Sequence, residues 1–445
     1  MSELKNPLPR QVADAYVDDL IALDPITGTY LGVAESSGKL PDFSPAGRQA
    51  AADLATATLA ALDEAERRPG GDSEEERRCA RLLRERLTAE LAVHEADEDL
   101  RAVSNIHSPA HSVREVFTVT PTGTEEEWAA VAERLRAVPA TLEGYRQSLE
   151  LGLERKLYGG PRPTATFVGQ LTEWAGEEGR PGWFETFAAD GPEALRAELD
   201  AAAAGASAAV AALRDWMRDV YAPAVEGQPD TVGRERYQRW SRYFNGTDLD
   251  LDEAYAYGWS EYHRLLGEMR AEAEKVLPGA ATPWEALKHL DEHGAHIEGV
   301  DEVRDWLQSV MDEAIEALDG THFELAERVR RVESRIAPPG GAAAPYYTAP
   351  PRTSRGRAGP GCRPWARPAS RSTTWCRPGT TRVSRATTSS WRSGRTWRRA
   401  SPATRRRSAW SAPTARAGRS TRSGSWTSWA SSPTRSGGSG TWTRR

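Results

Sequence analysis

At Pro350 the chain changes its chemical alphabet, and that break limits what can fold. Of the 95 residues from 351 to 445, 94 are Ala, Cys, Gly, Pro, Arg, Ser, Thr or Trp, and Val383 is the exception. The stretch has no Leu, Ile, Phe, Lys, Asp or Glu, so it lacks the aliphatic side chains from which cores are built. Ordering a residue costs about 1–2 kcal/mol of backbone entropy, which so little buriable surface does not offset. The expectation is a folded body over 1–349 and a disordered, Arg/Ser/Trp-rich tail over 350–445.

The same break divides the charge. The tail has 22 Arg and no acid, while the first 350 residues hold 36 Lys and Arg against all 64 Asp and Glu. The formal net of −6 therefore conceals a body of −28 joined to a tail of +22. Half of the 16 tryptophans also lie in the tail. Arginine neutralises phosphates and tryptophan stacks on bases, so a nucleic-acid-binding arm is one reading. Such arms usually carry RGG or SR repeats with Lys, Gln or Asn. This tail has no clear repeat, and no specific nucleic-acid partner is expected.

Cys79, Cys362 and Cys376 fall at no disulfide-framework or zinc-ligand spacing. The opening MSELKNPLPRQVADAYVDDL lacks the apolar core of a signal peptide, and no run of about 18 apolar residues occurs. The expectation is a cytoplasmic chain with no membrane partner.

Residues 9 to about 337 read as helix after helix, an all-α body. Ser44 stands as an N-cap before Pro45, the first helical position. Thr124 followed by Glu127 forms a capping-box pattern, and Trp128, Val131, Leu135 and Val138 then share a face. In DEVRDWLQSVMDEAIEAL, Val303, Trp306, Leu307, Val310, Ile315 and Leu318 keep the helical period until Gly320.

Four segments invite a chemical reading. HEAD, His94 to Asp97, begins like the zincin motif but has Glu98 where the second histidine should stand, so a solvated acidic helix face is expected. His107 and His111 in HSPAH have i,i+4 spacing at a loop or helix start, without an acidic third ligand nearby. His289 and His293 share a helical face, but Gly294 interrupts before His296, and helix-end histidines are the plainer reading. PPGGAAAPYYT, Pro338 to Thr348, is either a connector with docked tyrosines or a substrate-lining loop. No Walker loop, dinucleotide fingerprint or nucleophile elbow occurs in the body.

The eight tail residue types are those whose codons carry G or C at the second base. A G+C-rich gene places G or C mainly at the third base, so the tail has the alphabet of a coding sequence read one base late. Ser372 to Trp391 then permits VYDLVSTWYHEGVPGHHLQL, Arg416 to Ser423 permits EGWALYAE, and Arg352 to Gly361 permits EDFSRPGRTW.

With those readings, the chain resembles the bacterial domain-of-unknown-function family 885, a zinc-metallopeptidase-like group. The residues that carry the resemblance are DPITGTYLGVAESSGKLPDFSPAG (24–47), HSPAHSVREVF (107–117), VGRERYQRWSRYFNGTDLDLDEAYAYGW (232–259) and RVRRVESRIAPPGGAAAPYYT (328–348). The likeness covers about 9–349. The family's H-E-x-x-P-G-H-H and E-G-W-A-L-Y-x-E segments occur only out of frame, over Thr380 to Thr388 and Arg416 to Ser423.

For the intact family member the resemblance implies a zinc ion held by histidines and a downstream glutamate, a glutamate base, and a peptide substrate. This chain has Thr380, Thr381, Arg382, Thr387 and Thr388 across the first segment. No catalytic residue, metal ligand or cofactor is assigned to it. Tyr346 and Tyr347 carry over as substrate-lining candidates. The expected function is a relative of a zinc-dependent peptidase, inactive as the chain stands. The alternatives are a helical protein with a nucleic-acid-binding tail and a helical adaptor.

Overall fold

The computed structural model describes residues 6–177, 179–327 and 330–336, together with the backbone of the short strands Trp365–Ala366, Cys376–Arg377 and Thr380–Ser384. The chain divides into two units, Met1–Ala386 and Thr387–Arg445, and the second lies wholly outside the described residues. So, apart from those strands, does the stretch expected to be disordered.

The described body is mostly helical, as the periodicity predicts. It opens with α1 (Pro9–Leu23), α2 (Pro25–Leu31), α3 (Pro45–Glu66) and α4 (Glu74–Glu95). Ser44 and Ser73 cap α3 and α4 through hydrogen bonds accepted from Gly47 N and Glu76 N. Val12, Leu62, Ala65 and Ala80 make a small core among α1, α3 and α4. Arg10 holds the buried Glu76 carboxylate through its backbone N at 2.8 Å and Nε at 2.6 Å, fastening the start of α1 to that of α4.

The main core belongs to α5 (Pro109–Phe117), α6 (Glu125–Glu154), α7 (Pro161–Ala175), α8 (Trp183–Ala188) and α9 (Arg196–Trp216). The helical path continues from α9 through a wider turn at Met217–Tyr221 into α10 (Ala222–Val225). On α6, Val131, Leu135, Val138, Leu142, Tyr145 and Leu149 recur at three- and four-residue spacing, and all are buried. The facing stripe of α9 includes Ala202, Ala203 and Ala206, small enough to let the two backbones approach closely.

Arg134 of α6 is completely buried and, among the described residues, has no carboxylate partner. It donates to Lys39 O at 3.2 Å, Ser36 O at 2.8 Å, Thr29 Oγ1 at 2.7 Å and Thr120 Oγ1, and so ties the 29–39 segment to the core. Burial pushes its pKa down to about 10, which leaves it charged at neutral pH. The capping box stands at the start of α6: Thr124 Oγ1 accepts from Glu127 N, and Glu127 Oε2 accepts from Thr124 N, both at 3.2 Å. The helix runs on through Pro139, whose missing N–H leaves one turn of the hydrogen-bond ladder open.

The last helices are α11 (Gly233–Asn245), α12 (Leu251–Val276), α13 (Pro283–His293) and α14 (Val300–Leu318). They behave differently: α11 buries no residue fully, and in α12 only Ala273 is buried along the whole helix. Tyr255, Trp259, Tyr262 and Met269 stand along one side of α12, each at least 40% exposed. Past α13, the strand His296–Glu298 pairs antiparallel with Thr380–Ser384, and Glu333–Ser334 pairs parallel with Trp365–Ala366.

Candidate functional site

The histidines of HSPAH separate at the start of α5. His107 is exposed in the loop, while Ser108 caps the helix and His111 turns inward, 1% exposed. His111 Nδ1 lies 2.7 Å from Ser108 Oγ, and Nε2 lies 3.1 Å from Gln170 Oε1. The Gln170 amide nitrogen donates to Asn105 O at 3.0 Å, which turns Oε1 toward the ring. The network assigns the proton to Nε2 and makes Nδ1 the acceptor of the serine hydroxyl. Burial, followed by the nearby Arg114 charge, lowers the His111 pKa to about 4. Both ring nitrogens are committed, so this is a satisfied core histidine rather than half of a metal pair.

His111 leads into an aromatic wall. Its ring stacks on Phe167 with centroids 5.5 Å apart and meets Trp174 edge-on at 4.9 Å. The Arg114 guanidinium lies over both Trp174 and Trp183, 4.8 and 5.3 Å from their centroids. On α8, Trp183 and Phe187 sit one turn apart and stack at 5.4 Å with planes 12° apart. Phe117 closes the group from α5, edge-on to Phe184 and Phe187.

These rings back an open cavity of about 640 Å³. Trp174, Trp183, Phe117 and Phe187 form its apolar wall, and Thr118, Thr120, Thr122 and Thr186 add hydroxyls. Glu173, Asp190, Arg180 and Arg335 supply charge of both signs. Ile336 also lines it, where the chain enters the 337–350 stretch that carries Tyr346 and Tyr347. Those two candidates lie outside the described residues.

A second cavity, of about 700 Å³, lies between α14 and Glu333–Ser334. Its charged walls are paired internally: Arg304 holds Asp301 at 2.6 Å and Asp305 at 2.8 Å, and Gln308 accepts from Ser334 N at 2.8 Å.

HEAD corrects the expectation of a solvated acidic face. The helix α4 stops at Glu95, Asp97 takes φ +54, and Glu98 turns into the protein, 2% exposed. Its carboxylate accepts from Arg101 at 3.0 Å, Arg236 at 2.8 Å, Arg239 at 2.9 Å and Trp240 Nε1 at 3.3 Å. Burial alone would push this carboxyl up. The Arg236 hydrogen bonds and charge, with that of Arg101, outweigh it and hold the pKa below the usual carboxylate range. The result joins α11 to the end of α4. Sequence reasoning missed it because Arg236 and Arg239 lie about 140 residues downstream.

The third histidine group is as the spacing predicts. His289 and His293 stack at 4.5 Å on one face of α13, Gly294 ends the helix, and His296 falls in a strand beside Glu298. Among the described residues no three His, Cys, Asp or Glu side chains are grouped to hold a metal. The Thr380–Ser384 backbone, which opens the Thr380–Thr388 segment, is a strand. Threonine and arginine there offer no zinc donor set, and a strand does not place two ligands one helical turn apart. These residues do not fit the metal, and no step is routed through one.

The cavity aromatics were also missed by motif reasoning. A signal existed in the aromatic density of GWFETF, but its meaning depends on Phe117 and Trp174 from other helices.

Fold and site together define a mostly helical protein with an open, aromatic-walled cavity. The chain belongs to the family of bacterial proteins of unknown function known as DUF885, whose profile matches residues 25–381. The match runs past Pro350, beyond the segments within 9–349 that carry the resemblance. No curated protein matches the chain. Among solved structures it is similar to a candidate lipoprotein from Colwellia psychrerythraea, with TM-score 0.63 and 14% identity over 81% of this chain and 68% of that one. It is also similar to a candidate lipoprotein of unknown function from Shewanella oneidensis, with TM-score 0.53 and 16% identity over 82% of this chain. The chain spans 65% of the length of that second protein. At such identity the likeness establishes the fold alone.

Proposed function

We propose that this chain is the scaffold of a protein related to zinc-dependent peptidases, and that it is non-catalytic because the coding sequence for its metal-binding segment is read out of frame. The observation that carries this reading is the eight-letter alphabet of 351–445, broken only by Val383. The shifted frame permits the HEGVPGHH and EGWALYAE segments in that order. The exposed aromatic side of α12 supports it, because helices draw most of their stability from a packed apolar face. In the frame-restored product Tyr346 and Tyr347 are proposed to line the substrate cleft.

The test begins with resequencing the codons of Ala349 to Arg352 from source DNA. A base that restores the frame supports the reading, and an unchanged frame in several close relatives overturns it. The 445-residue chain is also expected to bind no stoichiometric zinc and to show no chelator-sensitive hydrolysis of peptides. Zinc at one per chain together with such hydrolysis would sink the proposal.

The 22 tail arginines and eight tail tryptophans favour a second reading, a nucleic-acid-binding arm. It requires saturable binding of single-stranded nucleic acid by the full chain, steeply weakened by salt, and stronger than that of a scrambled tail. The proposed cytoplasmic location stands against neighbours described as lipoproteins. Fractionation of the source cells decides between cytoplasm and membrane.

A further inference from the structure

The Glu98 cluster holds more positive charge than tying α11 to α4 requires. One carboxylate meets three guanidiniums, those of Arg101, Arg236 and Arg239, which leaves a surplus of two positive charges. The acids beside it in sequence do not offset this surplus, because Asp97 is held by Arg155 at 2.8 Å and Asp99 by Arg48 at 3.0 Å. Its effect is felt within the cluster. The Arg101 pKa is lowered, first by burial and then by the Arg236 charge, although Glu98 acts the other way. In a body whose first 350 residues sum to −28, this local excess runs against the background.

The cluster is also short of acceptors. Arg101 Nε is buried with no hydrogen-bond partner among the described residues. Arg239 donates to Glu98 through Nη1, and Arg236 through Nε and Nη2. Among the described residues, Arg239 Nε and Nη2 and Arg236 Nη1 find no acceptor. The two side chains are 26% and 27% exposed while that of Glu98 is fully enclosed, so solvent meets the arginines and not the carboxylate. These features select a ligand. A cation is repelled, a sugar leaves the charge unmatched, and a single carboxylate neutralises half of it. A doubly charged phosphate supplies two charges, with oxygens spaced for guanidinium forks.

We propose that Arg236 and Arg239, with the charge of Arg101 added to theirs, bind a phosphate dianion, free or carried as a phosphomonoester, at the solvent edge of the Glu98 cluster. Because α11 buries no residue fully, an anion across these arginines adds a further tie to a helix held by polar bonds. The site needs neither zinc nor a particular reading frame beyond residue 350, so it stands or falls separately from the reading-frame proposal.

Calorimetric titration of the full 445-residue chain tests it, at about pH 8 and constant ionic strength, with inorganic phosphate, glycerol 3-phosphate and acetate as probes. The 22 tail arginines also attract anions, so a variant and a local readout separate the two sources of heat. Saturable phosphate binding at one per chain is expected, with a dissociation constant of roughly 0.1–1 mM. Arg239→Gln should weaken it about ten-fold or more, since a charge and its forked donors are lost. Phosphate at about ten times its dissociation constant should slow amide exchange in α11 about ten-fold and leave α6 and α9 unchanged. That measurement needs no variant, and it decides the matter should Arg239→Gln lose helical signal. Tighter binding of glycerol 3-phosphate names an ester as the ligand and the reverse order names the free ion, and both support the site. Four outcomes overturn the proposal: no saturable heat with phosphate or its ester to about 10 mM, binding untouched by Arg239→Gln, which places the anion on the tail, acetate bound as tightly as phosphate, or α11 exchange indifferent to phosphate.

Discussion

His111 is neutral because it is buried and its surroundings supply one donor and one acceptor. The unfolded imidazole takes up a proton near pH 6.5, whereas the folded one resists until about pH 4. Between those values the unfolded chain binds more protons, so stability falls as pH falls and levels off below the folded pKa. Integrated over the window, the loss is about 3 kcal/mol at most. The prediction is a drop in urea midpoint from pH 7 to pH 4.5 that is partly removed by His111→Gln. Because carboxylates also titrate there, the informative quantity is the difference between the two proteins. Parallel midpoint curves for wild type and variant would rule out His111 as a source of acid sensitivity.

At the scale of elements, local signals were legible and long-range ones were not. Ser44, Pro45, Thr124 and Glu127 act through bonds within a few residues, so their spacing announced the starts of α3 and α6. The passage of α6 through Pro139 depends on the buried face beyond it and is invisible to local rules. Glu98 is the sharper case: Arg101 is its one partner close in sequence, and Arg236, Arg239 and Trp240 arrive on α11. That helix buries no residue fully, and polar bonds anchor it. Arg236, Arg239 and Trp240 hold Glu98, Arg242 holds Glu85, and Arg86 Nη1 donates to Tyr243 O at 2.6 Å. Removing the buried carboxylate strands three guanidiniums, at a cost of about 3 kcal/mol or more. Glu98→Ala should therefore accelerate amide exchange throughout α11 while α6 and α9 keep their protection. Uniform acceleration across all helices would instead mean that Glu98 supports the whole body.

For the whole molecule, the contrast between α6 and α12 matters most. The α6 helix draws its stability from a buried stripe, whereas α12 presents Tyr255, Trp259, Tyr262, Leu265 and Met269 to solvent. Each apolar square ångström removed from water is worth roughly 25 cal/mol, so a face of this kind is driven to find cover. The proposed change of reading frame names the cover: helices encoded beyond residue 350 in the other frame. The 445-residue chain should then bind a hydrophobic dye and self-associate at micromolar concentration, and Trp259→Glu with Tyr262→Lys should reduce both without loss of helical signal. The frame-restored protein should do neither, and its α12 amides should exchange more slowly. A 445-residue chain that stays monomeric and takes up no dye would mean that this face is content in water, and the structural support for a displaced frame would be gone. A frame-restored chain that still exposes α12 would be equally damaging. Its added helices would then pack elsewhere, and the face would need another occupant.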